Sequence, residues 1–442
     1  MVRAAAAALL TTLVPMLVGQ RWVGGHALVR WTVGAVLGVV ILAFGAMMGG
    51  FLGAPVSGAV AALLAGWLLG PRLRWSPPEP NLDPTTRRLI ALLVCVGAVI
   101  LALSTLRPVA GWDGWFMWSL KSKSLAAAGS FSTPVFLSST YSYSSQDYPP
   151  LLPAWQAVAY RIAGDLTVSW PLQVQQAWLW LTAAIGIMAL LSGVSRIAAL
   201  LPFAWLVSPA VVWESTQSYA DVPMALQLVL GAIVLRSAGD WRGHVIGGLL
   251  LGGAALTKTE GLPLATIVLV CLLLRSRRGR LTLIAPLVAA ALRLPWILFT
   301  QVHGLDNHMI GAASFSTEVL AKVPGRLPVI GSLMVRYAFS PLLWGVLTPA
   351  CIAAIAVTRK GSWRLLAATG MALLLFTAVY ALWPYRSWAL DDYMTVNVDR
   401  VLISCLGLFT LAASLADRPS ASSPAAPASS GDLHAAAARE PR

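Results

Sequence analysis

The first residues here whose types and spacing could do chemistry are an aspartate and two lysines among tryptophans, in GWDGWFMWSLKSK at 111–123. Asp113 follows an apolar stretch, 88–106, that is long enough to cross about 30 Å of hydrocarbon. An ionisable group at a membrane edge is a functional-site candidate by default. A carboxylate shielded by aromatics can take a proton from an acceptor hydroxyl, so Asp113 reads either as a general base or as the N-cap of the next helix. Lys121 and Lys123 either hold a phosphate as point charges or snorkel as interfacial anchors. Trp112, Trp115 and Trp118 recur every third residue, which predicts one shared helix side in the interfacial belt.

Four further segments add polar side chains. In SSQDYPPLLPAWQ, 144–156, the two prolines hold Tyr148 extended and open a helix, leaving Asp147 as a cap or a substrate contact. In SPAVVWESTQSYADVPMAL, 208–226, Glu214, Tyr219 and Asp221 lie between two apolar runs, and Pro223 makes Asp221 a second candidate cap. In GGAALTKTEGLPLA, 252–265, Lys258 and Glu260 occupy a turn with Gly261 and Pro263 as breakers, read either as a solvated hairpin tip or as part of a site. Arg400 enters the last apolar run beside Asp399, where it can fork onto a phosphate or balance that aspartate. Asp391 and Asp392 read as solvated loop charges. His303 and His308 flank Asp306 at loose spacing, so no metal ligands are assigned, although a divalent metal stays open as a cofactor.

The elements that must position these residues are membrane helices. Of 442 residues, 58% are hydrophobic and 11% charged, and mean hydropathy is +0.75, too apolar for a soluble chain of this length. Cys95, Cys271, Cys351 and Cys405 all lie in apolar runs without metal or redox spacing and read as small core residues. The net charge of +14 comes from basic residues in short loops, which reports membrane orientation and not nucleic acid. Apolar segments predict spans at 4–19, 28–49, 52–70, 88–106, 172–192, 196–212, 222–238, 281–300, 339–358, 364–383 and 399–416. The fold class is therefore an all-α polytopic membrane protein of roughly 11 to 13 transmembrane helices. Three parts are expected: N-terminal apolar segments at 1–75, a transmembrane catalytic core at 76–416, and a disordered cytoplasmic tail at 417–442, rich in Ala, Ser and Pro.

Orientation follows from the arginines and lysines. Arg72, Arg74, Arg87, Arg88, Arg236, Arg242, the run Arg275 to Arg280, and Arg359, Lys360 and Arg364 mark cytoplasmic loops. The loop 107–170, Asp221, the loop 301–338 and the segment 384–398 then face the other compartment together. Residues 244–274 must go out and return within about 31 residues, placing Lys258 and Glu260 at or slightly below that same face. Convergence of separate acidic elements and a basic tip on one side is the argument for a site.

At these residues the chain resembles the GT-C superfamily of polytopic glycosyltransferases, nearest in pattern to the bacterial group of rhizobial lipopolysaccharide-core galacturonosyltransferases, lipid A aminoarabinose transferases and protein O-mannosyltransferases. The matching elements are Asp113 in GWDGW, Tyr148-Pro149-Pro150, Tyr219-Ala220-Asp221 and Thr257-Lys258-Thr259-Glu260-Gly261, in the same order from about residue 88 to 275; towards the C-terminus only Asp399-Arg400 is similar. The resemblance implies a GT-C-like bundle with interfacial helices in a large extracytoplasmic first core loop. It implies Asp113 as catalytic base for an inverting transfer from a polyprenyl-phosphate-sugar donor to a glycan, lipid or protein acceptor. Lys121, Lys123, Lys258 and Arg400 become candidates for stabilising the phosphate leaving group, because fixed cations favour charge that builds there. Localisation in a bacterial inner membrane, with the site facing the periplasm or exterior, rests on this resemblance. Many members carry an acidic pair where Gly114 follows Asp113 here, and three apolar segments before residue 75 are atypical. The competing readings are a lipid-linked-sugar flippase or other transporter, which would place its ionisable residues deep within spans, and a non-catalytic scaffold of an envelope-assembly complex.

Overall fold

The computed structural model describes residues 1–193, 196–273, 279–305, 312–358, 362–384 and 389–415. Among them every regular element is helical, and the one β-bridge joins Val23 to Trp75. The expected basic residues Arg275, Arg277, Arg278, Arg359 and Lys360, the Asp306–His308 segment and the C-terminal tail lie outside the described residues.

The N-terminal part forms α1 (Val2–Gly19), α2 (Ala27–Phe51) and α3 (Pro55–Leu69), followed by α4 (Pro84–Leu106). A helix that is apolar all round belongs in a core or in lipid, and α2 and α4 divide those roles. In α2, 83% of the most apolar window is buried, and the helix packs on α1 and α3. In α4, capped by the Asp83 carboxylate at the Thr86 amide (2.7 Å), only 28% of that window is buried, so most of its apolar surface faces outward.

The first large loop carries a π-helical segment, Asp113–Ser119, which runs into α5 (Leu120–Ala128); α6 (Pro134–Leu137) and α7 (Leu151–Ala163) follow. The following bundle comprises α8 (Trp170–Leu190), α9 (Arg196–Leu206), α10 (Pro209–Ser215), α11 (Asp221–Ser237), α12 (Trp241–Thr257), α13 (Gly261–Leu273) and α14 (Ile284–Val302). The C-terminal third adds α15 (Thr317–Ala338), α16 (Pro341–Trp344), α17 (Leu347–Thr358), α18 (Trp363–Leu382), α19 (Leu390–Thr395) and α20 (Val398–Ser414). One hydrophobic cluster runs from Trp22 and α2 through α8 and α11 to α20, and α2 also packs on α7, α8 and α12. The N-terminal segments are thus part of the same packed body as the core.

This is a multi-pass membrane protein: among the described residues five helices are long and apolar enough to cross a membrane, or six if α9 and α10, bent by 44°, are one broken span. Part of the difference from the expected 11 to 13 lies in length. The helices α11, α12 and α20 each have 17 residues and α13 has 13. Two segments differ more sharply. The expected span 339–358 is not continuous, because Gly345, at φ +60°, separates α16 from α17. The expected loop 301–338 contains the 22-residue α15, which is capped by Ser316 and tolerates Pro324 and Pro328 on its largely exposed surface.

Candidate active site

Four chain elements bring their charged side chains to one point. Asp113 opens the π-helical segment, Glu214 lies on α10, Asp221 opens α11, and Arg400 sits in the first turn of α20. The Arg400 guanidinium forks between them. Its Nη1 is 2.5 Å from Asp113 Oδ2, its Nη2 is 2.7 Å from Asp221 Oδ2, and its Nε is 3.5 Å from Glu214 Oε1. Charge-assisted forks of this kind fix carboxylates in direction as well as distance. The other Asp221 oxygen accepts from Lys258 Nζ at 2.8 Å, and the same ammonium lies 3.1 Å from Glu260 Oε1.

Backbone detail explains why the elements can meet. Ala110 and Gly111 donate their amides to the buried Gln217 Oε1 (3.1 and 3.4 Å), which holds the strand of chain before Asp113 against α10 and α11. A Cβ at Gly111 would fall 2.1 Å from the Tyr219 hydroxyl, so the approach of this tyrosine needs glycine there. The Tyr219 ring lies under the guanidinium, 4.7 Å from Arg400 Cζ. At the tip between α12 and α13, a Cβ at Gly261 would stand 2.0 Å from the Ala254 carbonyl oxygen; glycine lets the two helices close and carries Lys258 and Glu260 inward.

Several expectations are corrected by this geometry. Neither Asp113 nor Asp221 caps a helix with its side chain, since both carboxylates are engaged by Arg400. Asp147 does not cap α7, which starts at Leu151 behind Pro150, and its carboxyl group is buried. The tip residues Lys258 and Glu260 are not solvated: they are 7% and 8% exposed, because the ion pairs compensate their desolvation. The expected turn lies at 258–260, between the end of α12 at Thr257 and the start of α13 at Gly261, with Pro263 in the first turn of α13. Trp112, Trp115 and Trp118 do not share a side; in the π-helical segment bonds run i→i+5, so a spacing of three no longer returns to one face. Trp118 is fully buried while Trp112 and Trp115 are exposed.

The lysines also part company. Lys121 is buried, and its Nζ lies 2.5 Å from the Ser145 carbonyl oxygen, against the Trp118 and Tyr148 rings. Burial pushes this lysine down to about 7, with Asp147 pulling in the opposite direction. Lys123 turns to the exposed Trp115 ring, 4.5 Å away, and lies 6.0 Å from the Tyr160 ring. Tyr148 connects the two lysine layers: its hydroxyl is 3.4 Å from Glu260 Oε1, and its ring lies 5.7 Å from Lys121 Nζ and 5.8 Å from Lys258 Nζ. Burial, then the charge of Glu260, raises the Tyr148 phenol well above its ordinary range, so it stays a donor.

Among the described residues no three His, Cys, Asp or Glu side chains are placed to hold a metal ion, and the carboxylates that come nearest already surround Arg400. Two residues are passed over by the sequence reading. Gln217, a neutral residue in a polar loop, carries a weak signal, whereas Arg293, in the apolar run AAALRLPWILF, is legible as an ionisable residue inside a membrane helix. No protein-family model matches the chain, and no curated protein or solved structure is significantly similar to it.

Proposed function

We propose that this protein is an integral membrane glycosyltransferase with a GT-C-like core, moving a sugar from a polyprenyl-phosphate donor to an extracytoplasmic glycan, lipid or protein acceptor with inversion. The observation that carries the reading is the position of Asp113. Its side chain is 21% exposed, against 9% or less for Glu214, Asp221 and Glu260. It is the carboxylate of this network that an acceptor can reach, beside tryptophans suited to a membrane interface.

In the proposed reaction the acceptor hydroxyl gives its proton to Asp113 as its oxygen forms a bond to the anomeric carbon. The bond from that carbon to the phosphate oxygen breaks, and the polyprenyl phosphate leaves with the electron pair. Arg400 positions Asp113, while Asp221, Glu214, Lys258 and Glu260 hold Arg400 and the tip in place. The bacterial inner membrane, with the site on the periplasmic or outer face, completes the proposal.

The test is transfer from a polyprenyl-phosphate-sugar pool to membrane acceptors by the purified protein in liposomes, native against Asp113→Asn. Loss of transfer with donor binding intact supports Asp113 as the base; equal transfer by both removes it from that role. Movement of the lipid-linked sugar across the bilayer without transfer would establish the transporter instead.

A further inference from the structure

We infer that Arg293, on α14, is the anchor for a phosphate group bound beside this site. The inference rests on the proposed phosphate-linked donor and adds the residue that holds the phosphate. Of the cations near the site, most have already spent their donors. Arg400 is divided among Asp113, Glu214 and Asp221, and Lys258 between Asp221 and Glu260. Lys121 is given to the Ser145 carbonyl and Lys123 to the Trp115 ring. Arg293 differs: it is 6% exposed, yet its Nε and Nη1 are buried with no acceptor among the described residues.

Buried donors on a charged group are normally satisfied, and an exception calls for a missing partner. The geometry places Arg293 at the site. One turn along α14, Trp296 donates from Nε1 to the Asp147 carbonyl at 2.9 Å, which ties this helix to the loop presenting Asp147 and Tyr148. The Asp147 carboxylate acts electrostatically on both Arg293 and Lys121, so two cations flank that loop. A guanidinium with unspent donors is a charge-assisted partner for a phosphate oxygen.

The experiment uses the full chain in nanodiscs, native and with Arg293→Gln or Arg293→Lys, and follows binding of farnesyl phosphate, farnesol and inorganic phosphate. Farnesyl phosphate binds the native protein and farnesol does not; Arg293→Gln weakens that binding about 10- to 100-fold, as expected for charge-assisted bonds, and Arg293→Lys restores part of it. Equal affinity of the Gln variant and the native chain overturns the anchor and leaves the glycosyltransferase reading standing. Binding of inorganic phosphate alone, lost in the Gln variant, upholds the anchor and removes the lipid-linked donor. Failure of the native chain to bind either phosphate overturns both. Without ligand, Arg293→Gln melts no lower than native, because it removes a charge with unspent donors; a clear drop would make Arg293 a structural partner and overturn the proposal.

Discussion

Arg400 and Asp113 stand 287 positions apart in the chain and 2.5 Å apart in space, joined through Nη1 and Oδ2. The contact ties the head of the first large loop to the start of the last helix. The same guanidinium holds Asp221, so one side chain sets the position of two carboxylates.

Removing this cation leaves Glu214 without its partner and Asp221 with Lys258 alone, both buried. Breaking a buried pair by deleting one member costs ~3–5 kcal/mol. Arg400→Gln is therefore expected to lower unfolding stability in detergent by about that amount. Arg400→Lys recovers only part, since one ammonium cannot fork to Asp113 and Asp221 together. Native-like unfolding of the Gln variant would show that the network is not structural.

Lys121 gives a pH dependence of stability. Its folded-state value lies near 7, well below the ordinary 10.5, because burial disfavours the ammonium. Between those values the unfolded chain binds more protons than the folded one, so this residue makes stability rise with pH from about 7 to 10.5, by up to ~1.4 kcal/mol per pH unit. Below that window the full cost of the buried charge is present. Lys121→Met should flatten the rise in urea or thermal unfolding followed over pH 6.5 to 10.5; an unchanged slope would contradict the burial.

Trp118 and Trp115 should behave differently although three residues apart. Trp118→Ala empties a fully buried site and is expected to cost ~3–5 kcal/mol. Trp115, 45% exposed and beside Lys123, is expected to change stability by less than ~1 kcal/mol on the same replacement. Equal losses would argue for a regular α-helix through 113–119.

Gly261→Ala forces a methyl group to within 2.0 Å of the Ala254 carbonyl oxygen. The helices α12 and α13 must part, at a cost of ~1–3 kcal/mol or more. The same shift moves Lys258 from Asp221. Both a lower melting point and weaker transfer activity are expected; an alanine tolerated without either would mean the tip is loose.

Much of the site was legible from the residues because ionisable groups are rare in a chain this apolar. Asp113, Asp221, Lys258, Glu260 and Arg400 stand out for that reason, and the basic loops are the ground for expecting them on one side of the membrane. The helical, multi-pass character follows from the same composition, since lipid leaves the backbone few ways to satisfy its own polar groups. Which of two local roles an aspartate takes was not legible. Asp113 and Asp221 both read equally well as caps, and only the arrival of Arg400 from the other end of the chain decides against that. Nor could spacing reveal the π-helical turn that buries Trp118 while exposing Trp115, because the hydrogen-bond register is not written in residue type. Sequence determines which groups are too polar for their surroundings; packing of distant helices determines which partner, if any, each of them meets. Lys121 and Lys123 make the difference plain: two residues apart, one is drawn under Tyr148 towards the Ser145 carbonyl and the other turns to the exposed Trp115 ring.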